Sequence, residues 1–157
     1  MEWGRLFRFV LLGNNQLEPL AILVVRVALG LFFAISGANK LFVASQAQTM
    51  YETLVAAKVP LPRLMTYFVS GVEFAGGCLL CVGLLSSLAS LALLGDMLVA
   101  ILTTKLGGMP KGLTPLNWLD NFLYLPEVLY VLFFVWLICS GPGRFSIDYW
   151  IATRLQQ

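Results

Sequence analysis

The sequence predicts an all-α membrane protein: one domain over residues 1–157, built as an antiparallel bundle of four transmembrane helices with short interfacial amphipathic helices. Three observations carry this. The 157 residues are 59% hydrophobic and only 11% charged, against roughly 25% charged in an average soluble domain. Four apolar segments, about 19–41, 63–84, 86–106 and 122–140, each approach the ~20 residues that a bilayer crossing requires. Ionisable residues stand inside these segments, where facing lipid would cost on the order of 3 kcal/mol or more, so they must face protein or water.

Ahead of the first crossing, Trp3, Leu6, Phe7, Val10 and Leu11 fall at helical spacing with Arg5 and Arg8 turned elsewhere, the pattern of a short helix lying among headgroups. A cleaved leader is not expected, because Arg26 interrupts the apolar run and a long segment precedes it. In the first crossing itself, LAILVVRVALGLFFAISGANKL, the residues Arg26, Gly30, Phe33, Gly37 and Lys40 alternate spacings of four and three. On a helix they form one stripe, with Lys40 roughly 21 Å along the axis from Arg26.

Ser45 to Lys58 reads as a second interfacial helix, with Ser45 as N-cap and Met50, Tyr51, Leu54 and Val55 as its apolar side. The prolines of Val59-Pro-Leu-Pro62 end it. The second crossing carries Glu73 about ten residues in, then Gly76, Gly77 and Gly83, small residues that permit close helix approach. A short turn at Ser86 and Ser87 leads to the third crossing, where Asp96 is flanked by an expected small-residue stripe of Ala89, Ala92, Ala100 and Thr103. Lys105 closes that helix, residues 107–121 read as a loop, and Glu127 follows Pro126 in the first turns of the fourth crossing.

The chain has no histidine, the usual ligand of haem, zinc and copper. Its three cysteines are too few for a four-thiolate iron–sulfur cage, and no Gly-rich nucleotide fingerprint is present. Neither a covalent cofactor nor a metal centre is expected, and electrons, if they pass, are expected on a partner or on a dissociable molecule such as a quinone. A net charge of +2 with so few charged residues gives no reason to expect a nucleic-acid partner. The candidate binding residues are Arg26, Lys40, Glu73, Asp96 and Glu127. Arg26, Glu73, Asp96 and Glu127 are expected to converge near the midplane, with Glu73 pairing Arg26. One arginine cannot neutralise three carboxylates, so at least one acid is expected to hold a proton and act as donor beside an anion stabiliser. Cys78 and Cys81 sit in the second half of an apolar helix, away from the helix start that activates a thiol, and are expected to be inert. Trp3, Trp118 and Trp150 fit an interfacial belt. Loop charges leave orientation undecided, four cations on one side against five on the other.

Taken together, RVALGLFFAISGANKL, Tyr51 before VPLP, GVEFAGGCLLCVGL, and Glu127 followed by SGPGRFSID resemble the DoxX family over nearly the whole chain. The resemblance implies a four-helix protein of the bacterial inner membrane with both termini cytoplasmic. The family takes its name from a membrane subunit of a thiosulfate:quinone oxidoreductase, which implies a redox-linked role. Arg26, Gly30, Gly37, Lys40, Glu73, Gly77, Gly83 and Glu127 occupy the family's motif positions. Lys105 stands where many members have histidine, and Asp96 departs from a usually apolar third helix. Two function classes follow. One is a redox-linked subunit whose polar core binds a quinone-like or sulfur-containing small molecule alongside other protein subunits; the other is a non-catalytic anchor or assembly subunit of a larger complex.

Overall fold

The computed structural model describes residues 16–156, so the amphipathic stretch expected over Trp3 to Leu11 lies outside the described residues. The described residues form seven α-helices: α1 Glu18–Phe42, α2 Ala44–Ala56, α3 Pro62–Val82, α4 Ser86–Ala100, α5 Pro115–Leu123, α6 Pro126–Ser140 and α7 Ile147–Leu155. Beyond Ala100, α4 continues as a π-helical turn, Ile101–Lys105, and a 3-10 turn, Leu106–Gly108.

Three helical stretches are long and apolar enough to cross a membrane: Glu18–Phe42, Pro62–Val82 and Ser86–Gly108. The fourth crossing differs from the single helix expected over 122–140. It is a bent pair, α5 and α6, meeting at 67°. Leu125 is extended (φ −68°, ψ 123°), as the residue before a proline must be when its α conformation clashes with the ring. With 15 residues, α6 alone covers about 22 Å, short of the ~30 Å hydrocarbon core, so a fourth crossing needs α5 as well. The expected loop 107–121 thus contains most of α5, whose start is capped by Thr114 Oγ1 accepting from the Asn117 N–H at 3.4 Å.

α2 begins two residues earlier than expected. The chain breaks at Val43 (φ −107°, ψ 109°), which takes the N-cap position, so Ser45 lies within the first turn and caps nothing. Leu54 is buried beneath α2, Met50 and Tyr51 are half-buried, and Val55 faces outward.

The tightest contact in the bundle joins α1 to α3. A Cβ added at Gly77 would meet the backbone of Ala34, one at Gly37 the backbone of Phe74, and one at Gly30 the backbone of Cys81. The two backbones therefore touch, which is how helices associate where lipid tails are as apolar as leucine. As contact positions rise along α1 through 26, 30 and 37, their partners fall along α3 through 83, 81 and 74, so the pair is antiparallel. α4 packs on the other side of α3, with Leu93 seated against Gly76. Its buried line is Ser86, Ala89, Ser90, Leu93, Met97 and Ile101. Ala92 of the expected small-residue stripe faces outward instead, and the hollow at Gly76 takes the bulkier Leu93. Phe33, Tyr130 and Phe134 join α1 to α6 through ring contacts of 5.3 Å. Outward faces carry large apolar residues such as Ile35, Phe68, Leu91 and Leu132, as a surface solvated by lipid tails requires.

Gly77→Ala is therefore expected to lower stability in detergent by about 1–3 kcal/mol, the usual cost of overpacking. Gly71, with open space around its Cα, provides the control: Gly71→Ala should be neutral or slightly stabilising, by up to about 1 kcal/mol. Thermal unfolding of the two variants side by side checks the contrast.

Candidate functional site

Between α1, α3, α4 and α6 lies a cavity of about 260 Å³. Its polar end begins with Glu73, whose side chain is only 4% exposed although it carries a carboxylate. The close approach of α1 and α3 brings Lys40 to it: Lys40 Nζ donates to Oε1 at 2.7 Å and Oε2 at 2.6 Å. Ser36, one turn before Lys40 on α1, donates to Oε2 at 3.4 Å. A second pair, Lys105 Nζ to Glu127 Oε1 at 2.9 Å, links the π-helical turn to the first turn of α6. Asp96 of α4 lines the same cavity and belongs to neither pair. Its Oδ2 and the Oε2 of Glu127 are buried without a hydrogen bond among the described residues. Phe32, Phe33 and Tyr130 wall the cavity on one side, and Met50, Thr53 and Leu54 of α2 reach its mouth.

Of the candidate residues, Lys40, Glu73, Asp96 and Glu127 line this cavity together, and Arg26, expected to converge with the three acids, does not. The expected Arg26–Glu73 pair is absent because the glycine contacts fix the register of α3: Gly83 lies against the Arg26 guanidinium, while Glu73 falls beside the Lys40 end of α1. Arg26 is 1% exposed and serves a different end of the bundle. Its Nη1 donates to the Pro142 carbonyl at 3.2 Å and its Nη2 to the Phe145 carbonyl at 2.7 Å. These bonds fasten the SGPGRFSID segment across the α3–α4 turn. Asp148 completes the fastening by accepting from the N–H groups of Leu85 at 2.7 Å and Ser86 at 2.8 Å, at the start of α4, while its own N–H donates to the Gly83 carbonyl at 2.9 Å. Gly83 has φ +73° and no room for a Cβ beside Arg26, so both its backbone and its neighbour demand glycine. Burial pushes the Asp148 carboxyl up, but the hydrogen bonds from Ser86 and Leu85 and the nearby Arg26 charge outweigh it and hold the group below the ordinary carboxylate range.

Lys105 is the cavity residue that the sequence reading left out. On an unbroken α-helix, at about 100° per residue, Lys105 would stand on the face opposite Asp96. The π turn under-rotates the chain and brings Lys105 to the cavity. The cysteines form no disulfide; Cys78 is exposed on the outer face of α3, and Cys81 is half-buried against Gly30.

The sequence profile described as DoxX matches residues 21–106, more than half of the chain. The chain belongs to the DoxX family. A curated relative, the uncharacterized membrane protein Rv3486 of Mycobacterium tuberculosis, is 29% identical over 140 residues, spanning 87% of this chain and 84% of its own length. No solved structure matches. The DoxX match covers α1 to α4, hence Arg26, Lys40, Glu73, Asp96 and Lys105; Glu127 and the segment held by Arg26 lie beyond it.

Because the folded-state pKa of Asp148 is depressed, its contribution to stability is full above the ordinary carboxyl value near pH 4 and is lost as the pH falls below it. Melting temperatures of the wild type should drop on acidification through that range, and those of Asp148→Asn should be lower at neutral pH and flatter with pH. Parallel curves for the two proteins would show that Asp148 does not fasten the segment.

Proposed function

We propose that this DoxX protein is the membrane subunit of a redox-linked complex, and that its charged cavity binds the head of a neutral, quinone-like small molecule. The observation that carries the reading is the charge inventory of the cavity. Two ammonium groups, Lys40 and Lys105, face three carboxylates, Glu73, Asp96 and Glu127, and every other lining residue is uncharged. Both lysines are already engaged by carboxylates. A sulfur oxyanion would have to displace those carboxylates from their lysines and leave them buried without a counter-charge. A neutral ring meets no such penalty: the Phe32, Phe33 and Tyr130 wall offers it apolar contact, and the remaining N–H of Lys40 is available to a carbonyl oxygen. At about 260 Å³ the cavity falls just below the roughly 300–1,000 Å³ of sites for drug-sized ligands, which suits one ring whose apolar tail remains in lipid.

Reduction of a quinone to its quinol consumes two electrons and two protons. In this reading Asp96 and Glu127 relay the protons along the cavity, and a partner subunit supplies the electrons. The protein sits in the bacterial inner membrane with both termini cytoplasmic, which opens the mouth of the cavity, at α2, Lys105 and Glu127, toward the periplasm. One observation favours a second reading, a non-catalytic anchor or assembly subunit: each lysine in the cavity is matched by a carboxylate, as it would be if the charges only fixed helix register.

Equilibrium titration of the purified protein in nanodiscs, with a short-tailed benzoquinone and separately with thiosulfate, decides the matter. Saturable quinone binding is expected, with thiosulfate weaker by at least about a hundredfold, because a buried carboxylate displaced from its lysine is left uncompensated at a cost of several kcal/mol. Tighter binding of thiosulfate, or no saturable binding of either, overturns the proposal.

A further inference from the structure

A second cavity, of about 400 Å³, lies on the other side of α2, between that helix and the first turns of α3. Ala44, Ala47, Gln48 and Tyr51 of α2 line it, with Arg63, Thr66 and Tyr67 of α3. Arg63 is the single charged residue in this lining, and among the described residues it has no carboxylate within 4.0 Å and no side-chain hydrogen bond. Among the described residues the hydroxyls of Tyr51 and Tyr67 have no partner either. The neighbouring polar groups are spoken for: Gln48 Nε2 donates to Glu52 at 2.8 Å, and Thr66 Oγ1 donates to the Pro62 carbonyl at 2.9 Å. The cavity therefore presents one guanidinium and two phenols, all donors, with no acidic group among them.

Its depth says what is there to be bound. α3 has 21 residues and covers about 31 Å, matching the ~30 Å hydrocarbon core, so Arg63 in its first turn lies where hydrocarbon gives way to headgroups. The anion present at that level is the lipid phosphodiester, and a guanidinium suits it because its N–H groups fork onto two phosphate oxygens.

We propose that this cavity binds the phosphate of a membrane phospholipid, with Arg63 as the main anchor and Tyr51 and Tyr67 donating to the same headgroup. The site lies apart from the charged cavity but shares α2 with it: Ala47 and Tyr51 face the lipid site, and Met50, Thr53 and Leu54 face the charged cavity. A bound lipid would hold α2 in place over that mouth.

The test is native mass spectrometry of the full chain, released from mild detergent after equilibration with phosphatidylglycerol. One retained lipid per chain is expected for the wild type. Arg63→Met should lower that occupancy about tenfold, the worth of one charge-assisted hydrogen bond, while its melting temperature stays close to the wild type, since Arg63 makes no side-chain bond among the described residues. Tyr51→Phe combined with Tyr67→Phe gives a second reading that leaves the arginine in place, and a several-fold loss is expected. Equal lipid retention by wild type and Arg63→Met overturns the proposal, and so does displacement of the lipid by millimolar inorganic phosphate, which would make this a site for the free anion.

Discussion

Everything in this bundle depends on a carboxylate placed where lipid cannot solvate it. Glu73 is nearly inaccessible, and an uncompensated charge at such a position costs several kcal/mol even after relaxation. Lys40 meets it only because α1 and α3 approach to backbone contact, and that approach exists only because Gly30, Gly37 and Gly77 lack side chains. The glycines and the ion pair are therefore one device. Removing the first spreads the helices, and removing either charge strands the other.

The same register sorts the remaining charges into two groups at opposite ends of the bundle. At one end, Nη1 and Nη2 of Arg26 donate to backbone carbonyls of the segment that follows α6, and Asp148 caps the start of α4. The bonds at this end tie chain segments to one another. At the other end, Lys40, Glu73, Asp96, Lys105 and Glu127 surround open volume. Irregular backbone gathers there: the π turn before Lys105 and the 67° break before Glu127. Non-helical backbone at membrane depth is tolerated where it lines a cavity or lies buried in protein, so the broken elements and the charged cavity explain each other.

Much of this was legible in the chain. The three long spans and the stripe Arg26–Gly30–Phe33–Gly37–Lys40 follow from composition and helical spacing, and four of the five candidate binding residues line one cavity. What spacing could not supply was which acid meets which base. Depth along a helix places Arg26 and Glu73 at comparable levels only if the register of α3 is guessed, and that register is set by backbone contacts at glycines rather than by the charges. Lys105 was hidden for a similar reason, since a π turn changes the face a residue occupies without leaving a pattern in the hydrophobic period. The break at Leu125 had its signal in Pro126, but a proline in the first turn of a helix is equally compatible with an uninterrupted start.

The central claim is that the Lys40–Glu73 pair belongs to a ligand site and is more than a pin holding α1 to α3. Replacing both residues together, Lys40→Met with Glu73→Leu, removes the charges while keeping apolar volume, a change that is often neutral for stability where either single change is not. Quinone titration of that double variant in nanodiscs, beside its melting curve, is the direct measurement. The account predicts a protein that melts within a few degrees of the wild type and binds at least about tenfold more weakly, as loss of one charge-assisted contact implies. Unchanged quinone affinity in a normally folded double variant would contradict it and leave the pair as a structural element alone.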